Sequence, residues 1–214
     1  MILVLIPALL ALAPAPSALP GIYRSQQIEV AAALELTEDH RFRYALEYGA
    51  VSELGEGSWS TDGKTVRLTS APMPKAPSFE IVRDDPAPPG ELWVNFENPG
   101  FDWGGPLEML VTIEGVHTLV RTAPGDNGRV DVGAQRILAV RPLIPVYEEF
   151  GPPLKLAPDR GHRLTIRFLR NDLGKARFSN APLAIEDDDL LLDRYDTKIR
   201  LNRVGPPLTK PSGE

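Results

Sequence analysis

The chain has 214 residues with 22 Pro, 18 Gly and no Cys, is 43% hydrophobic and 24% charged, and carries a formal net charge of -6. That length suits one large β domain or two small ones, each with its own core. The acidic balance argues against a nucleic-acid partner, which needs a basic face. The lack of Cys excludes disulfides, thiolate metal sites, Cys nucleophiles and a lipid-accepting Cys.

Residues 1–13, MILVLIPALLALA, form an apolar run too short to span a bilayer comfortably, and small Ala15 and Ser17 allow cleavage before Ala18. No Lys or Arg precedes the run. The expectation is a signal peptide over residues 1–17 and an exported protein, periplasmic or secreted. No later stretch is apolar enough to cross a membrane.

Alternation of apolar and polar residues then dominates. Ile28, Val30, Ala32, Leu34 and Leu36 share one face of an extended segment. Thr37-Glu38-Asp39-His40 reads as a turn, after which Phe42, Tyr44, Leu46 and Tyr48 oppose Arg41, Arg43 and Glu47. Gly55-Glu56-Gly57 allows a bulge or bend. Asp62-Gly63 lies between two strand-like runs, a strong hairpin signal, with Val66 and Leu68 alternating beyond it.

The texture changes in the middle. Residues 73–77 and 85–90 are Pro-rich connectors, and short strand candidates fall at 79–82, 92–96, 107–113, 117–121, 129–132 and 137–141. Close spacing with turn signals predicts a small β-sandwich. Residues 142–159 read as loop.

Alternation returns with Leu164, Ile166 and Phe168, then Ala176 and Phe178 beyond an Asp172-Leu173-Gly174 turn. Residues 182–186 run into Asp187-Asp188-Asp189 and three leucines, and Ile199 and Leu201 oppose Lys198 and Arg200. A five-strand meander alone leaves two open edges, so the last four strands are expected to pair with it. The fold class is therefore all-β. An antiparallel barrel or half-barrel is built from both ends of the chain, residues 18–83 and 163–204. An Ig-like sandwich is inserted at 84–162, and a disordered tail follows at 205–214.

Several segments also carry a resemblance. Pro20-Gly21-Ile22-Tyr23, the run from Arg41 to Ala50, Glu56-Gly57-Ser58-Trp59 and Asp62 to Leu68 resemble exported bacterial proteins with lipocalin-like β-barrel domains. Asn171-Asp172-Leu173-Gly174-Lys175-Ala176-Arg177-Phe178 is similar to the closing part of such proteins. The resemblance covers roughly half of the chain and rests on turn and core patterns. It implies fold and export, and no catalytic residue.

Chemistry-bearing patterns are sparse. His40, His117 and His162 are widely separated, with none of the spacings that build a zinc site. Asp187-Asp188-Asp189 on extended chain points its carboxylates in alternating directions, which suits a solvated hairpin tip better than calcium. No nucleophile elbow or phosphate-binding Gly loop occurs, and nothing singles out a carboxylate pair for glycoside hydrolysis. No metal or cofactor is expected, and the balance leans away from an enzyme.

Two aromatic groups remain. Phe42, Tyr44, Tyr48 and Trp59 either line a ligand cavity in a wide barrel or fill a narrow one. Trp93, Phe101 and Trp103 lie in a segment rich in Asn, Asp and Glu and could stack on sugars; alternatively Trp93 and Phe96 anchor the sandwich core. The leading expectation is a non-enzymatic envelope protein binding a small apolar ligand or an envelope protein. A glycan-binding module acting through residues 93–103 is the alternative, and an envelope hydrolase ranks last.

Overall fold

The computed structural model describes residues 19–97 and 108–208 apart from 119, 126, 134 and 148, and omits the side chains of Glu149 and Phe150. The leader, Phe101, Trp103 and residues 209–214 of the tail lie outside the described residues. No helix is long and apolar enough to cross a membrane among the described residues.

The first block supplies β1 (Gly21–Ser25), β2 (Val30–Leu36), β3 (Arg41–Tyr48), β4 (Val51–Thr61) and β5 (Thr65–Ser70). The middle supplies β6 (Ser78–Ala87), β7 (Leu92–Glu97), β8 (Glu108–Ile113), β9 (Val120–Thr122), β10 (Arg129–Val130), β11 (Ile137–Ile144), β12 (Glu149–Phe150), β13 (Leu154–Lys155) and β14 (Gly161–Leu169). The last block adds β15 (Ala181–Glu186), β16 (Asp189–Arg194) and β17 (Thr197–Gly205).

Both ends of the chain close one barrel in the order β1-β17-β16-β15-β5-β4-β3-β2, with every neighbour antiparallel. Closure removes the open edges that an isolated meander would expose. The alternation read from the sequence decides what faces inward: Phe42, Tyr44 and Leu46 are buried while Arg41, Arg43 and Glu47 lie outside. Tyr23, Leu34, Leu36 and Leu68 join them in one core. Each such side chain contributes roughly 1.5–3 kcal/mol on leaving water. Ile28 departs from the pattern: it precedes β2 in the connecting turn and is 91% exposed.

The hairpins use the expected chemistry. The Asp62 carboxylate accepts from the backbone N–H of Lys64 at 2.9 Å and Thr65 at 2.8 Å, which holds its pKa below the ordinary carboxylate value. Gly63 takes the positive φ of 87° that the turn requires.

Gly55 and Gly57 make no bulge; β4 pairs with β3 through them in unbroken register. They are small because the interior leaves no space. A Cβ on Gly57 would stand 2.0 Å from the Thr69 carbonyl oxygen and 2.8 Å from Phe42.

The middle strands form two sheets, β10-β7-β14-β6 and β12-β11-β8-β9, with β13 also on β11. Their inner faces share one cluster, with Leu92, Val94, Ile166 and Phe168 from the first sheet meeting Met109, Val111, Val140 and Ile144 from the second. Strand β14 runs parallel to β7, whereas an Ig-like sandwich is antiparallel throughout.

Pairing also moves the expected boundaries. The sequence pattern places residues 78–83 and 163–169 in the barrel, yet β6 and β14 pair with each other, from Ser78–Leu169 to Ala87–Gly161. The barrel is thus completed by three late strands rather than four. Residues 85–87, expected as connector, extend β6, and the expected loop at 142–159 carries the end of β11 with β12 and β13. At the tail, Leu208 donates its N–H to Glu35 at 2.8 Å.

Candidate functional site

The barrel wall is uneven beside β4. Strand β5 pairs only with Gly57–Thr61 and ends at Ser70, which leaves residues 51–56 without a strand on that side. The segment 174–178 takes the vacant edge. Leu54 donates its N–H to the Gly174 carbonyl at 2.9 Å, Ala176 donates to the Leu54 carbonyl at 2.7 Å, and Ser70 donates to the Phe178 carbonyl at 2.8 Å. The Ser70 hydroxyl seals the contact, donating to the Ala176 carbonyl and accepting from the Phe178 N–H, both at 3.0 Å.

This segment was expected as a barrel strand; it is instead a plug. Its inward side chains Ala176 and Phe178 are fully buried, and Phe178 packs edge-on to Phe42 and Tyr44 at centroid distances of 5.6 and 5.0 Å. Gly55 eases the insertion, since a Cβ there would crowd that of Ala176 at 3.1 Å.

The outer side of the plug, the connector after β5 and the outer face of β4 enclose a groove of about 780 Å³. Leu54, Met73, Tyr147 and Leu173 give it an apolar lining, with Leu54 64% and Met73 46% exposed. Its two loops are clasped through Asp172. That carboxylate accepts from the Lys175 ammonium at 2.7 Å and the Lys75 backbone N–H at 2.8 Å, contacts that hold its pKa below the ordinary value. Asn171 adds a bond from Nδ2 to the Ala76 carbonyl at 2.8 Å. Tyr147 packs against both the barrel core and the sandwich core.

Inside the barrel wall near the plug sits a polar cluster. Glu53 lies on the inward parity of β4 and accepts from Arg194 Nε at 2.8 Å, Arg194 Nη2 at 2.6 Å and the Tyr195 hydroxyl at 2.6 Å. Burial depresses the Arg194 pKa, but the Glu53 hydrogen bonds and charge outweigh it and the net shift is upward. Burial, then the bond to Glu53, pushes the Tyr195 hydroxyl up. Tyr44 is also pushed up, mainly by burial, against the opposing pull of neighbouring Arg194, and its hydroxyl makes no well-formed hydrogen bond among the described residues.

The residues singled out from the sequence fall into separate places. Phe42, Tyr44 and Trp59 are buried barrel filling, and Tyr48 is half-buried at the edge of the same core. Trp59 donates from Nε1 to the Thr37 carbonyl at 3.1 Å and stacks on His40 at 4.7 Å. Only Tyr44 also borders the groove.

Trp93 is not a sandwich anchor. Leu92 and Val94 point into that core, while Trp93 lies on the other face with the Arg163 guanidinium 4.5 Å from its ring centroid and Arg129 at 5.9 Å. Phe96 does pack on the core, 6.4 Å from Phe79. Phe101 and Trp103 lie outside the described residues.

The three histidines stay apart, and no cluster of metal-binding side chains occurs among the described residues. His162 is buried, with Nδ1 2.9 Å from Asp84 and Nε2 2.9 Å from the Ala157 carbonyl, while Arg160 also binds Asp84. At the acidic tip, Asp189 accepts from Arg200 and Asn202. Among the described residues, the carboxylates with displaced pKa, Asp39, Asp62 and Asp172, are held down, opposite to what a general acid needs.

Comparison with family models, curated proteins and solved structures finds no match in any of the three.

Proposed function

We propose that this chain is a non-enzymatic, exported cell-envelope protein that holds a small, largely apolar ligand in the groove between β4 and the plug. The observation carrying this reading is the exposure of Leu54 and Met73 to one shared groove of about 780 Å³. That size falls in the range of small-molecule sites, and Leu54 and Met73 give the groove an apolar floor open to solvent. Filling of the barrel around Phe42, Tyr44 and Phe178 favours the groove over the interior. The lipocalin-like resemblance and the apolar leader support export.

Native mass spectrometry of protein purified from a bacterial periplasm without detergent tests the reading. The expected spectrum shows a chain beginning at Ala18 with a reproducible extra mass from a hydrophobe. That extra mass is lost in Leu54→Asp. A bare polypeptide mass for the unsubstituted chain, unchanged after adding hydrophobes, contradicts it.

A further inference from the structure

We propose that the groove's ligand is an amphipathic carboxylate, its apolar body over Leu54 and Met73 and its anionic head at Lys75. This deepens the reading above and rests on it.

The argument is one of charge. The chain as a whole is acidic, at -6, yet the groove is bordered by four cationic side chains, Arg43, Lys75, Arg170 and Lys175, against two anionic ones, Glu56 and Asp172. The cations are not equally available. Arg43 is 3.3 Å from Glu35 and Lys175 is 2.7 Å from Asp172. Asp172 uses one oxygen on Lys175 and the other on the Lys75 backbone N–H. The Lys75 ammonium makes no ion pair within 4 Å among the described residues, although its charge reaches Asp172, and it borders the groove two residues from Met73.

An apolar trough beside an exposed ammonium with no direct ion pair matches a ligand with the complementary division. A carboxylate suits it because a lysine ammonium acts as a compact point charge with rotatable donors. A neutral hydrophobe leaves that charge unused, and a cationic amphiphile meets repulsion.

Calorimetric titration of the mature chain with dodecanoate, 1-dodecanol and dodecyltrimethylammonium, all below micelle-forming concentrations, separates the possibilities. Dodecanoate is expected to bind about three- to fivefold tighter than the alcohol at low salt, the scale of one partly exposed ion pair. The cation is expected to bind weakest, and the preference shrinks as salt screens it. Lys75→Gln, at an exposed position, should bring the dodecanoate and alcohol affinities to the same value. Equal or tighter binding of the alcohol overturns the carboxylate assignment alone. Failure of all three to bind overturns the groove reading itself.

Discussion

The Glu53 carboxylate on β4 is bound by the Arg194 guanidinium on β16 through two hydrogen bonds, 2.8 and 2.6 Å long, beside the plugged section of the barrel. The two side chains are 6% and 22% exposed, so the pair is largely removed from water. Such a pair resists loss of one partner far more than loss of both. Arg194→Met should destabilise the fold by about 3 kcal/mol, the lower end of the range because Arg194 keeps some solvent. Adding Glu53→Leu should restore most of that. Urea unfolding measures both, and a loss under about 1 kcal/mol for the single variant would count against the pair's burial.

The two tyrosines of this cluster should respond oppositely. Tyr195 donates to Glu53 at 2.6 Å, so Tyr195→Phe removes a bond to a charged acceptor and should cost about 1.5 kcal/mol. The Tyr44 hydroxyl is buried beside Arg194 without a well-formed hydrogen bond, so Tyr44→Phe should leave stability unchanged or raise it by roughly 0.5–1 kcal/mol. Thermal denaturation distinguishes them; a clear loss for Tyr44→Phe would show that its hydroxyl is bonded in solution.

The clasp at Asp172 should open in acid. The pKa is depressed in the fold, first by the Lys175 hydrogen bond and then by the Lys75 N–H, so the contact contributes fully above the ordinary value of 3.8 and is lost as pH falls below it. Hydrogen exchange of the Lys75 amide, normalised for intrinsic rate, should stay slow at neutral pH and accelerate as the carboxylate protonates. Asp172→Ala, which removes the acceptor, should be fast at both ends. Exchange of the unsubstituted chain that ignores acidification would contradict the clasp.

Barrel strands were legible where alternation was clean. Phe42, Tyr44 and Leu46 gave their own orientation, and Asp62-Gly63 gave its turn. The groove was hidden because β4 breaks that code. Charged Glu53 points inward and apolar Leu54 outward, an inversion that marks both the polar cluster and the exposed lining. The inversion was visible in Val51-Ser52-Glu53-Leu54, but its meaning depends on Arg194 and Gly174, each more than a hundred residues away. The plug was misread for a related reason. Ala176 and Phe178 alternate as a strand does, yet the segment is held by two backbone bonds to Leu54 and one from Ser70 rather than by a continuous ladder. Strands β6 and β14 share the alternating pattern of the barrel, so only pairing could assign them elsewhere.

Methyl NMR during titration with dodecanoate tests the central claim, that the ligand lies in the groove and the barrel interior stays packed. The Met73 and Leu54 methyl signals should shift progressively with ligand, while those of Leu46 and Leu68, buried in the barrel, stay in place. Shifts concentrated on Leu46 and Leu68, with Met73 and Leu54 unmoved, would contradict it and return the ligand to the barrel interior.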